Sequence, residues 1–284
     1  MSSEPVVAVL GRGLVPADTP LFTAFDFGVT RGDGCFDVIR VTRQADQTRA
    51  DHFEEHLARF ARSAAALGLS VDLDEWRTLA EQALAAWHEP GEAVLKLVLT
   101  RGPEFAGPPV PTGVATIAPT PDVSAKRRGI AVVTVNRGCP SGAFADSPWL
   151  LGGVKTLSYA VNQAVKRESA ARGAADAIFV STDGYLLEGP STGLVVEWDD
   201  ALWTTPRDDS GVLASVTVDV ALRALAAEGW RTGQRFFTAA ELPHARGAWL
   251  MSCSAGVMPI LSLDGVPVPQ DSALTVRLAQ VTGF

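Results

Sequence analysis

Lys155 and Glu188 are the two side chains of this 284-residue chain whose surroundings suggest covalent chemistry. Lys155 follows the small-residue bend Gly152-Gly153-Val154 and precedes apolar residues at Leu157, Ala160, Val161, Ala164 and Val165, the spacing of an amphipathic helix. A lysine held at such a junction can be desolvated, which favours the neutral amine that attacks a carbonyl. Further on, AIFVS and YLLEG flank Asp183-Gly184, a tight-turn signature, so Glu188 is expected at the end of a returning strand, just before the Gly/Ser/Thr turn GPSTG. A carboxylate there can pair with a protonated pyridine nitrogen, and the two residues together suggest pyridoxal phosphate, an electron sink attached through a Schiff base. Taken singly, each is more simply a solvated surface residue.

The elements that must position these residues read as an α+β chain. Prolines at 103, 108, 109, 111, 119 and 121 exclude regular helix or central strand, except for the strand-like VATIA inside the run. The expected organisation is a smaller α+β domain over 1–118, a linker over 119–129 where proline, glycine and charge replace apolar pattern, and a larger domain over 130–284. In the first, VVAVL, CFDVIRV and AVLKLVLTRG read as strands. DHFEEHLARFARSAAALGL reads as a helix capped by Asp51 and stopped near Gly68, with a further helix from Asp74 to His88. In the second, IAVVTVNR, the AIFVS/YLLEG hairpin, LVVEW, ALWTTP and AWLMSCS read as strands. A helix from about Val216 to Glu228 has Ser215 as its N-cap and Gly229 as its stop. The backbone N–H groups at that helix start make an anion site, or simply a capped helix end.

Composition narrows the function classes. A formal net charge of −8 and a pI near 5.0 argue against nonspecific nucleic-acid binding. Three widely spaced cysteines, Cys35, Cys139 and Cys253, fit a reducing compartment, and no signal segment or run of about 18 apolar residues is evident, so a cytoplasmic protein is expected, neither exported nor membrane-spanning. His52-Phe-Glu-Glu-His56 matches a zinc-peptidase pattern, but no convincing third ligand follows and no metal is expected. Gly11-Arg12-Gly13 lacks the third glycine and following helix of a dinucleotide fingerprint, and no GxSxG elbow is present.

Taken whole, the order of lysine, helix, hairpin, glutamate and Gly/Ser/Thr turn resembles the fold-type IV pyridoxal-phosphate enzymes. These are the branched-chain and D-amino-acid aminotransferases and 4-amino-4-deoxychorismate lyase. The resemblance runs from about Val6 to Pro269 through RGDGCFDVIRV, LKLVLTRG, WTTPRDDSGV and SCSAGVMPI. It implies a two-domain α+β fold and a homodimer. It also implies that Lys155 bonds the cofactor, Glu188 holds its ring nitrogen, and Tyr159 reaches its phenolic oxygen. The phosphate would be bound by Arg59 in HLARFARSA, by Ser191 and Thr192, and by the amides of Val216 and Thr217 with the Thr217 hydroxyl. GDGCF is similar to the lyase, which gives 4-aminobenzoate and pyruvate on the way to folate, whereas the aminotransferases more often place Glu where Asp37 stands. D-amino-acid aminotransferases carry an Arg and a His after LTRG that trap the substrate α-carboxylate, and here PEFAGPPVP supplies neither. Candidate substrate contacts are Arg31, Asp37, Arg101 and the amides of Cys253 and Ser254. The lyase is the expected activity. The alternatives are transamination of D-alanine or branched-chain amino acids, or a noncatalytic binding protein, against which intact Lys155, Glu188 and Arg59 argue.

Overall fold

Two compact units of strands and helices build the computed structural model, which describes residues 4–45, 47–105, 107 and 110–284. One unit is Met1–Pro121 with Val154–Tyr159, and the other is Asp122–Gly153 with Ala160–Phe284. The segment around Lys155 therefore belongs to the first unit, a correction to the span 130–284. Its backbone hydrogen bonds, described below, are made to elements of that unit.

In the first unit the elements are β1 (Val6–Val9), β2 (Gly13–Val15), α1 (Phe27–Arg31), β3 (Gly34–Gln44), β4 (Gln47–Ala50), α2 (Phe53–Ala66), α3 (Leu73–Ala86), β5 (Gly91–Thr100) and β6 (Thr112–Pro119). The strands form an antiparallel sheet in the order β2-β1-β6-β5-β3-β4. Ile39, Val41, Leu95, Leu97 and Ile117 of this sheet form one core with Leu57 and Phe60 of α2 and Trp76, Leu79 and Ala83 of α3. That packing fixes the face of α2 that meets β3. Asp51 does not cap α2, because its carboxylate is taken by Arg40 and Arg49, and the cap position falls to His52 in the left-handed region at φ 52°. The next helix begins one residue before Asp74 and ends before His88. Asp72 is its cap, accepting from the amides of Asp74 and Glu75.

The second unit contains α4 (Ser124–Arg127), β7 (Ile130–Asn136), α5 (Ala160–Ala171), β8 (Asp176–Val180), β9 (Gly193–Trp198), β10 (Ala201–Thr204), α6 (Val216–Ala227), β11 (Arg231–Gln234), β12 (Gly247–Ser252), β13 (Gly256–Leu263), β14 (Val266–Pro267) and α7 (Ser272–Thr282). Its sheet runs β11-β10-β9-β12-β13-β7-β8, with β14 beside β13 and with parallel pairs at β10/β11, β13/β7 and β7/β8. Helices α6 and α7 cover Val195, Leu202, Trp249 and Met251. The sequence reading did not include α7, although Asp271 caps it and Leu274 and Leu278 repeat at helical spacing. The lysine helix begins only at Ala160, so Leu157 lies outside it; of the apolar positions expected there Val165 packs against the cluster of Phe179, Leu187 and Val212, while Ala160, Val161 and Ala164 are exposed. YLLEG returns without becoming a regular strand, held by single bridges of Leu186 to Val180 and of Tyr185 to Thr238.

Candidate active site

Lys155 is held by its backbone at both ends. Its N–H donates to Ser63 Oγ at 3.2 Å and its carbonyl accepts from the Phe36 N–H at 3.0 Å, while the Leu157 N–H reaches Gly34 O at 2.8 Å. The lysine segment thus lies along the start of β3 and against α2. Glycines permit that approach. A Cβ on Gly34 would stand 2.3 Å from Leu99 O and 2.7 Å from Leu157 Cδ1, and one on Gly32, at φ 69°, would stand 2.5 Å from Ser158 Oγ. The RGDG run is therefore a packing requirement of the lysine segment. The Lys155 side chain is 8% exposed, with Nζ 4.5 Å from the Phe36 ring centroid and 3.3 Å from the Tyr159 hydroxyl. Phe36 and Tyr159 meet edge to face at 5.0 Å. An amine so placed, beside two aromatic rings and a hydroxyl, is positioned to act as a nucleophile and proton carrier.

Arg59 lies one turn before Ser63 on the same face of α2 and is buried. Its Nε and Nη2 fork onto Asp37 Oδ2 and Oδ1, each at 2.8 Å, and His56 Nδ1 stands 2.8 Å from the same Oδ1. Burial alone would raise the Asp37 pKa, but the charge and hydrogen bonds of Arg59, with those of His56, outweigh it and hold the carboxyl well below the usual range. Burial lowers His56 and Asp37 opposes that; the net shift is downward. Since Asp37 remains an acceptor, the proton of the neutral ring belongs on Nδ1, and Arg59 Nη2, 3.3 Å from that nitrogen, gives its hydrogen to Asp37. At 6% exposure Arg59 is not a solvated helix-face residue. Nor is Asp37 an open substrate contact, because it is 0% exposed and spent on Arg59 and His56. Among the described residues no group of three or more His, Cys, Asp or Glu could hold a metal ion.

In the second unit, Glu188 ends the hairpin behind the Asp183-Gly184 turn, with its carbonyl accepting from the Phe179 N–H. Its carboxylate accepts from the Leu213 N–H at 3.1 Å and lies 3.9 Å from Arg137 Nη1, whose guanidinium sits over Phe144 and Phe179. Next comes the tight turn of Ser191 and Thr192. A Cβ on Gly189 would collide with Thr192 Oγ1 at 2.1 Å, and one on Gly193 would press on Val218 and Ser215 at the start of α6. The absence of side chains there seats the turn on the helix N-terminus. Ser215 caps it by accepting from Val218, which leaves the first-turn amides of Val216 and Thr217 directed out of the helix end. Thr192 Oγ1 is buried without a hydrogen-bond partner, the state expected of a group that awaits a polar ligand.

The remaining substrate candidates divide between the units. Arg101 is not available as a carboxylate trap, since it forks onto Asp33 at 2.7 and 3.1 Å and donates to Leu67 O. Arg31 is more exposed and pairs with Glu104 at 3.3 Å. Cys253 and Ser254 sit at the tip of the β12/β13 hairpin in the second unit. The sequence reading missed Ser63 and set His56 aside with the zinc pattern. The signal was the spacing of 56, 59 and 63, which puts three polar side chains on one helical face.

The first unit thus carries a buried lysine beside two aromatic rings, and the second a glutamate behind a hairpin and a Thr turn at a helix N-terminus. The chain belongs to the amino-transferase class IV family, whose sequence pattern matches residues 34–263. It is 36% identical over 276 residues, 93% of each chain, to a bifunctional aminodeoxychorismate lyase / D-amino acid transaminase from Mycobacterium tuberculosis. It is 25% identical over 84% of its length to a D-alanine aminotransferase from Bacillus licheniformis, of which 82% is covered. Among solved structures it superposes on a hypothetical aminotransferase from M. tuberculosis in its PLP-bound form with a TM-score of 0.91 and 35% identity, covering 98% and 97% of the two chains. A fold IV transaminase from Curtobacterium pusillum gives 0.90 and 37%, with 99% and 98% covered. The fold is the two-domain α+β fold of that class.

Proposed function

We propose that this chain is a pyridoxal-phosphate lyase that converts 4-amino-4-deoxychorismate to 4-aminobenzoate and pyruvate, a step toward folate. The observation that carries it is the buried Lys155 amine, pinned by its backbone and placed beside Phe36 and Tyr159. The residues fit the cofactor: Thr192 Oγ1 is a buried hydroxyl lacking a partner, next to the α6 amides. Thr192, Ser191, the Val216 and Thr217 amides, the Thr217 hydroxyl and Arg59 would hold the phosphate, Glu188 the ring nitrogen and Tyr159 the phenolic oxygen. When bound, pyridoxal phosphate supplies an electron sink for the carbon that bears the substrate amine. Lys155 Nζ takes the proton from that carbon and delivers one to the departing enolpyruvyl unit, while the ring left behind becomes aromatic.

Lyase chemistry is favoured over transamination by the loop after β5. Arg101 and Arg31 are engaged with Asp33 and Glu104, and the following residues bring a carboxylate and Phe105 rather than a second cation. The lyase substrate has no carboxylate on its amine-bearing carbon and asks less of that loop. D-amino-acid transamination is the second reading, supported by the 36% identical relative named for both activities. The homodimer and the cytoplasmic location belong to the same reading, the latter supported by three free cysteines. No helix among the described residues is long and apolar enough to cross a membrane.

The test has two parts. Borohydride reduction of the purified yellow protein should leave the cofactor on the Lys155 peptide by mass spectrometry, and a label on another lysine, or none, refutes the assignment. On one preparation, kcat/KM for aminodeoxychorismate should exceed that for D-alanine with 2-oxoglutarate. A larger value for an amino acid moves the chain to the aminotransferases.

A further inference from the structure

We propose that Ser63 is a positioning residue for Lys155, its hydroxyl oxygen fixing where the lysine backbone sits and so where the amine can reach. The proposal rests on the reading of Lys155 as the lysine that bonds the cofactor. Ser63 is 3% exposed on the face of α2 that carries His56 and Arg59, within a helix whose neighbouring buried positions are Phe60 and Ala64. A serine there is not explained by helix formation or by apolar packing: it is a middling helix former, and a buried hydroxyl is unfavourable unless it is hydrogen-bonded. The bond it makes is with the Lys155 N–H, 92 residues away. With the Phe36 N–H on the Lys155 carbonyl, α2 and β3 hold the two peptide units that flank the Lys155 Cα. A lysine side chain has several rotatable bonds, so an anchored Cα is what confines its amine to a small volume.

The step that depends on this placement is condensation. The lone pair of Lys155 Nζ attacks the cofactor's aldehyde carbon, a C=N bond forms, and water leaves with the aldehyde oxygen and the two amine hydrogens. Pyridoxamine 5'-phosphate has the same ring and phosphate but an amine in place of the aldehyde. It cannot form that bond, so its affinity reports the rest of the site.

Apo protein is titrated with each compound. Ser63→Ala should weaken pyridoxal phosphate about tenfold, the worth of a buried hydrogen bond, and leave pyridoxamine phosphate within about twofold of wild type. Ser63→Cys, which keeps the volume but offers a weak acceptor, should behave like Ser63→Ala and serves if the alanine variant does not fold. In a Lys155→Ala background, Ser63→Ala should alter neither affinity. Equal weakening of both compounds, or no change in pyridoxal phosphate affinity, overturns the positioning role. Wild-type pyridoxal phosphate affinity in Lys155→Ala alone overturns the reading of Lys155 itself, and the proposal with it.

Discussion

Asp37→Asn keeps the size of a buried side chain and removes its charge. The carboxylate receives four contacts at 2.8 Å, from Arg59 Nε, Arg59 Nη2, His56 Nδ1 and the Val38 N–H. An amide offers one acceptor oxygen and one donor group. With the oxygen toward Nη2 and His56, the amide nitrogen faces the Nε hydrogen. With the oxygen toward Nε, the nitrogen faces Nη2, and only His56 can adapt, by moving its proton to Nε2. In both orientations one Arg59 N–H meets a donor, and the guanidinium loses its countercharge where the two side chains are 7% and 0% exposed. Removing one partner of so buried a pair costs about 3–5 kcal/mol. Urea unfolding of apo protein measures it without the stabilisation a bound cofactor would add. Replacing both partners by apolar residues, Asp37→Leu with Arg59→Met, should cost less than Asp37→Asn alone, because no buried charge is left unpaired. A loss under about 1 kcal/mol for Asp37→Asn, or a double variant that costs the sum of its two single changes, refutes the argument.

Three other changes test the remaining geometry. Glu188→Ala should retain the fold yet lower turnover roughly a hundredfold, about 3 kcal/mol of transition-state stabilisation, and near wild-type kcat in fully loaded protein removes Glu188 from the mechanism. Because burial holds His56 below the ordinary imidazole value of 6.5, the unfolded chain takes up a proton that the folded protein refuses, and stability should fall as pH drops below that value. Asp37, with its pKa depressed by Arg59, adds a further loss only below about its ordinary 3.8. His56→Gln should flatten the decline of the urea midpoint between about pH 6.5 and 5, and an unchanged slope contradicts the assignment. Gly34→Ala, whose Cβ would meet Leu99 O at 2.3 Å, should destabilise the protein by about 1–3 kcal/mol in thermal melts, whereas Gly142→Ala, with nothing within 4 Å, should stay within about 0.5 kcal/mol.

Features that depend on neighbours along the chain were legible in the residues. The Ser215 cap and Gly229 stop define α6, Asp183-Gly184 turns the hairpin that brings up Glu188, and alternation marks β3, β5 and β6. Caps, turns and period-two burial arise from a few consecutive residues, so their signals are local. The pattern of Leu157, Ala160, Val161, Ala164 and Val165 suggests a helix stripe that starts too early, since the helix begins at Ala160 and of these helical positions only Val165 packs against a buried cluster.

Tertiary structure alone decided which charges pair and what holds Lys155. Asp37 meets Arg59 across 22 residues, Arg101 is drawn to Asp33 across 68, and Ser63 accepts from Lys155 across 92. The sequence offers Arg59 to a phosphate and Arg101 to a substrate carboxylate, and shows the buried or nearby carboxylate partner of neither. Once α2 lies on β3, Arg59 and Asp37 share a site shielded from water, and the cost of burying either charge alone binds them to each other. Such a choice follows from packing and desolvation, which have no counterpart in the spacing of residues along the chain.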